Sequence, residues 1–134
     1  MNIRSTAHFR PGNIAAVLEQ VTTRNIAATT KATEVVMDQA KENCPVRTGR
    51  MQGEIYMQVT VEGLVVTGSV IAPTEYAGYV EFGTGIRGAA SEWSGPYGYS
   101  ESWPGMPAQA PLRRAIDETN GQVIDAYRQE GFNV

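Results

Sequence analysis

Three glycines, Gly83, Gly85 and Gly88, stand at the spacing of a phosphate-cradling loop inside YAGYVEFGTGIRG, residues 76–88. Such a loop binds a dinucleotide when it follows a strand, opens a helix and is trailed about 20 residues later by a carboxylate for the ribose. Here the next stretch is rich in Gly, Ser and Pro, and residues 104–108 contain no Asp or Glu. A Walker loop would need Gly-Lys-Ser/Thr, and the only lysines are Lys31 and Lys41. The glycines therefore read as a sharp exit from residues 76–82, where small residues admit backbone geometry that others resist.

The remaining reactive side chains are too few or too scattered for catalysis. Nucleophilic chemistry needs a base beside the nucleophile, and the sole histidine, His8, lies in an N-terminal segment expected to be flexible. Cys44 has no second cysteine to pair with, and one Cys with one His cannot build a zinc cluster. Glu75 and Glu81, six residues apart, point to different sides of a helical turn and read as solvated charges. Asp117, Glu118 and Asp125 lack the alternating oxygen ligands of a calcium loop. No catalytic residue, cofactor or metal is expected.

The elements that would carry a function of another kind fit one domain spanning residues 1–134, with 42% hydrophobic residues to build its core. No apolar run is long enough for a membrane span, and no secretory signal is visible. The net charge is −3, unevenly spread. Residues 1–50 hold seven Lys or Arg against four Asp or Glu, whereas residues 51–110 oppose Arg87 to six glutamates. That polarity suits either opposite patches meeting between copies or a solvated surface.

Residues 11–43 predict a long helix, with Ile14, Val17, Leu18, Val21, Ala28, Ala32, Val35, Val36 and Ala40 near helical spacing. Pro11 suits its first turn and Pro45 its stop, while TTRNIAATTKAT is weak in helix propensity. At roughly 45 Å such a helix outruns a domain with a radius of gyration of roughly 14 Å. Either it bends near Asn25, or its apolar stripe is covered from outside, most economically by another copy. After a Thr48-Gly49 turn whose hydroxyl is placed to cap a short helical turn, residues 54–72 predict a hairpin. Glu62 and Gly63 turn it, and Leu64, Val66 and Val70 continue on the return strand. A lone hairpin is marginal, so a helix beneath it and strands beside it are expected. Residues 86–110 predict an extended loop whose Trp93, Tyr97, Tyr99 and Trp103 pack on the core or on a partner. Residues 111–130 predict a closing helix with Leu112, Ile116, Thr119, Val123 and Tyr127 on one face. The fold class is α+β, with the long N-terminal and the C-terminal helix packed on a small antiparallel sheet.

Three segments in this order, CPVRTGRMQGEI, EYAGYVEFGTG and AQAPLRRAI, resemble the phage tail-completion, or neck, family. Its pattern is Pro-Val-x-Thr-Gly-Arg before an apolar residue, Tyr-Ala-x-x-Val-Glu-aromatic-Gly-Thr, then Gln-Pro-Phe-Leu leading into an amphipathic helix. Matching positions include Thr48, Gly49, Arg50, Tyr76, Val80, Glu81, Phe82, Gly83 and Thr84, and the resemblance spans about residues 11–130. Arg47 stands where an acidic residue is common, Ala110 and Pro111 replace Pro-Phe, and the aromatic loop is longer than usual. The resemblance implies a non-enzymatic virion subunit, assembled in the host cytoplasm, that forms a ring of six at the head-proximal end of a long tail. Its implied partners are further copies of itself, the head connector or stopper, and the tail tube or terminator, with DNA passing through without sequence specificity. The matched residues, with Gly85, Trp93 and Trp103, are the implied interaction residues. On this reading Tyr76, Tyr79, Val80 and Phe82 anchor their segment against the core or the next subunit, and the acidic middle of the chain faces the channel. Tail terminator or minor head-side protein are alternatives. More distant ones are a nucleotide-binding enzyme built on Gly83 to Gly88, and a nucleic-acid module using Arg4, Arg10, Arg24, Lys31, Lys41, Arg47 and Arg50.

Overall fold

A computed structural model describes residues 11–46, 49–84 and 105–134, and within them the expected α+β arrangement is found. Helix α1 (Pro11–Asn43) is followed by a short α2 (Arg50–Glu54) and by the strands β1 (Tyr56–Glu62) and β2 (Val65–Ile71). Two more helices complete it, α3 (Ala77–Phe82) and α4 (Pro111–Gln129). Residues 1–10, expected to be flexible, together with Arg47, Thr48 and most of the long loop, with Gly85, Arg87, Gly88, Trp93 and Trp103, lie outside the described residues.

Helix α1 runs through the threonine-rich stretch without interruption. Low intrinsic propensity there is offset by partners. The Thr33 hydroxyl donates to the Thr29 carbonyl at 2.6 Å, and the Thr29 and Tyr127 hydroxyls bond each other at 2.8 Å, tying α1 to α4. The helix stops where Pro45 predicts, with Cys44 N–H still bonded to the Ala40 carbonyl.

The hairpin pairs Tyr56 with Ile71 at one end and Glu62 with Val65 at the other. Leu64 is therefore not the first residue of the return strand, as its apolar character suggested, but the second residue of the turn. Gly63, at φ 61°, supplies the positive dihedral that a two-residue loop needs at its first position. Met57, Val59 and Val70 are half-buried on the face toward α1. On that face a Cβ at Gly68 would run into the Thr33 side chain, so the glycine is what lets helix and hairpin approach. Among the described residues the sheet has two strands; the expected flanking strands are not found.

Helix α4 lies antiparallel along the C-terminal part of α1. Asn43 donates to the Pro111 carbonyl at 3.4 Å and to Glu118 at 3.0 Å, and Gln39 also donates to Glu118 at 3.0 Å. The contact is built from small side chains, Ala28, Ala32 and Ala40 on α1 and Ala115, Thr119 and Ala126 on α4. Here the predicted face is corrected. Ala115 is fully buried and Ile116 is 59% exposed, because helices in such close contact have room for a methyl and not for a branched chain. The core continues through Cys44, Met51, Ile55, Ala77 and Val80.

Past residue 24 toward the N-terminus, no other element among the described residues covers α1. Gly131, just beyond α4, sits beside Arg24, and residues 13–21 are exposed throughout. This overhang is about 20 Å long at 1.5 Å per residue.

Candidate functional site

Helix α3 carries the motif that matched most specifically, and its backbone is tied at both ends. Ala77 N–H reaches the Thr74 carbonyl and Val80 N–H the Tyr76 carbonyl. At the exit Gly83 adopts φ 75° and ψ −175°, a region essentially reserved for glycine. The turning role predicted for Gly83 is thus observed. Thr84 then pairs with Met106 through backbone bonds of 2.8 and 3.0 Å, and its hydroxyl accepts from Met106 N–H at 2.9 Å.

The returning chain reaches α4 under constraint. The Val80 carbonyl accepts from Gln109 and Ala110 N–H, and Ala110 is left-handed at φ 48° and ψ 50°, which costs a non-glycine residue about 1–2 kcal/mol. Two features then leave α4 without a cap of its own. Ala110 has no capping side chain, and Pro111 has no N–H, so Leu112 and Arg113 present the first orphan donors.

Glu81 supplies the missing acceptor from another helix. Its carboxylate accepts from Leu112 N–H, Arg113 N–H and Arg113 Nε, each at 3.0 Å, and Arg113 Nη2 donates to the Glu81 carbonyl at 2.8 Å. The anion sits at the positive end of the α4 dipole and beside a guanidinium, which offsets the cost of its burial to 6% exposure. The Arg113 guanidinium also lies 4.8 Å from the centre of the Phe82 ring. The reading of Glu81 as a solvated charge is therefore wrong, and so is its share in an acidic channel wall. Glu75 is exposed as expected, 3.5 Å from Arg50, which also holds Glu54 at 3.1 Å.

Of the predicted interaction residues, Tyr76, Val80, Glu81, Phe82, Gly83 and Thr84 are brought together with residues 106–113, and Arg50 reaches their edge through Glu75. Gly49, at φ 70°, occupies the N-cap position of α2, so a side-chain cap is not made at that position. Sequence reasoning missed Arg113, whose signal was a helix opening on Ala-Pro with no Ser, Thr, Asp or Asn to cap it.

This arrangement locks backbone and offers little for chemistry. Burial, and after it the charge on Glu81, push the Cys44 thiol above its ordinary value, which disfavours the nucleophilic thiolate. Among the described residues no group of His, Cys, Asp and Glu is placed to hold a metal ion, and no helix is long and apolar enough to cross a membrane.

Residues 13–83, just over half of the chain, match the family model HK97-gp10_like, described as "Bacteriophage HK97-gp10, putative tail-component". The match runs from the start of α1 to Gly83. No curated protein and no solved structure matches the chain.

Proposed function

Because the chain belongs to the HK97-gp10-like family of phage tail components, we propose that it is a tail-completion, or neck, subunit whose copies close into a ring. A structural tail-related protein acts by meeting other virion proteins. The ring reading adds that it first meets itself, six copies surrounding the DNA path between tail and head connector. No step of this role requires catalysis. Assembly takes place in the host cytoplasm before tail and head join.

One observation carries the reading. The buried core of a single copy is dominated by alanine, whereas Ile14, Val17, Leu18 and Val21 stand 42%, 56%, 42% and 43% exposed along one stripe of α1. Contiguous exposed apolar surface on a virion component marks a protein contact. Symmetric closure is the usual way for identical subunits to cover it. The DNA-facing surface on this reading falls to exposed carboxylates such as Glu54, Glu62 and Glu75, because Glu81 is spent inside the fold. An acidic wall gains no affinity by counterion release and lets DNA pass.

Native mass spectrometry of the full chain tests the ring and is expected to show one closed multimer. Electron microscopy of particles carrying the labelled protein is expected to place it at the neck. A strictly monomeric protein, or label on the capsid or the distal tail, would contradict the proposal.

A further inference from the structure

A second apolar feature, open among the described residues, lies elsewhere on the molecule as a groove between α1, β2 and α4. Its walls are Val36, Val70, Leu112, Ile116 and Val123, its floor opens over Gly68, and its volume is about 260 Å³. That is below the roughly 300–1,000 Å³ of small-molecule sites and suits a few inserted side chains. Ile116 stands on its rim, exposed.

The exposed stripe is an apolar ridge and this groove an apolar recess, and the two cannot meet within one chain. Ile14, Leu18, Val21, Asn25, Ala28 and Ala32 recur in steps of four and three, the spacing of a helix–helix seam. The C-terminal end of that seam is covered by α4; its N-terminal end runs on bare past Gln129. Because α1 is one continuous helix, its stripe cannot fold back on a groove that begins at Thr29 of the same helix.

We infer that the α1 overhang of one copy inserts Ile14, Leu18 and Val21 into the α1/β2/α4 groove of the next copy. This rests on the ring reading and specifies its interface. A second copy is the fitting occupant because every chain carries one ridge and one groove. A head-to-tail contact between the two leaves neither unsatisfied once the ring closes, whereas a foreign helix in the groove would leave the ridge wet. The charges favour the same pairing: the first 24 residues carry Arg4, Arg10 and Arg24 against Glu19, and the rest of the chain is net acidic.

Leu18→Cys and Ile116→Cys in the full chain test this with a short bismaleimide. The wild type is the control, since its Cys44 is buried and is expected to stay unlinked. A mixture of the two single variants is expected to give a covalent dimer, and the double variant a ladder rising to the closed multimer. Each single variant alone is expected to stay uncrosslinked. A covalent dimer from Leu18→Cys alone means that two ridges pair face to face, and overturns the inference. Closed multimers in native mass spectrometry without any ladder overturn the interface and leave the ring standing. Monomers alone defeat both. Independently, Leu18→Glu is expected to weaken self-association about tenfold or more with an unchanged melting temperature, because a buried unpaired carboxylate costs well over the equivalent of one decade. Unchanged association in that variant also overturns the inference.

Discussion

The two halves of α1 share one helix, one periodicity and one seam, yet they meet opposite fates. The C-terminal half buries Ala28, Thr29, Ala32, Thr33 and Ala40 against α4 and the hairpin, while the N-terminal half leaves Ile14, Val17, Leu18 and Val21 in solvent. In a self-sufficient subunit the large aliphatics would be buried at least as often as the alanines. The inversion teaches that residue size here tracks distance of approach, not hydrophobicity alone. Methyl-sized side chains let α4 come close within the subunit, and the bulky ones are held out on an arm where a neighbour can reach them.

The comparison breaks most severely if the cover over the C-terminal half is released. Glu81→Ala removes the carboxylate that caps α4 and its charged bond to Arg113, so unfolding free energy in urea is expected to fall by about 3 kcal/mol. Glu81→Gln keeps some of the acceptor capacity and is expected to fall between the two. An exposed-charge role for Glu81 predicts instead almost no change.

Next in size comes overpacking of the covered half. Ala40→Leu places a branched chain where Ala40 is fully buried, and the thermal midpoint is expected to report a loss of about 1–3 kcal/mol. The matching change on the arm is smaller. Leu18→Ala is expected to alter the stability of the isolated subunit by less than about 0.5 kcal/mol while depleting the multimer in native mass spectrometry. If Leu18→Ala destabilised the monomer as much as Ala40→Leu does, the two halves would not differ in the way described.

The smallest effect sharpens the comparison through pH. Glu118 clamps the covered half by accepting from Asn43 and Gln39, and it has no counterpart among the described residues of the arm. The Asn43 amide, with Arg114 and Gln39 acting in the same direction against some desolvation, holds its carboxyl below the ordinary value. A depressed carboxylate stabilises the fold above that ordinary value, and the contribution is lost as pH falls through the lowered one. The melting gap between wild type and Glu118→Gln is therefore expected to be small but measurable at pH 7 and to close below about pH 4.

Much of this fold was legible because its signals are local. Pro11 and Pro45 mark the ends of α1, Gly63 the hairpin turn, Gly83 the exit of α3 and Pro111 the first turn of α4, each acting within a residue or two of itself. The same local logic erred where the deciding contact is distant. Glu81 looked solvated because its donors are 31 and 32 residues away, and Ile116 looked interior because helical phase alone cannot tell it from Ala115. The weak threonine stretch held because Tyr127, 98 residues on, meets Thr29.

The amino-acid sequence by itself determined where the chain turns, which segments are helical and that one long seam runs along α1, since backbone dihedral preferences and side-chain periodicity are properties of neighbours in the chain. Only the tertiary structure decided which half of that seam is covered and which carboxylate goes inside. Both depend on where α4 begins and ends against α1, and that is set by helix caps and close packing between residues that the chain brings together only on folding.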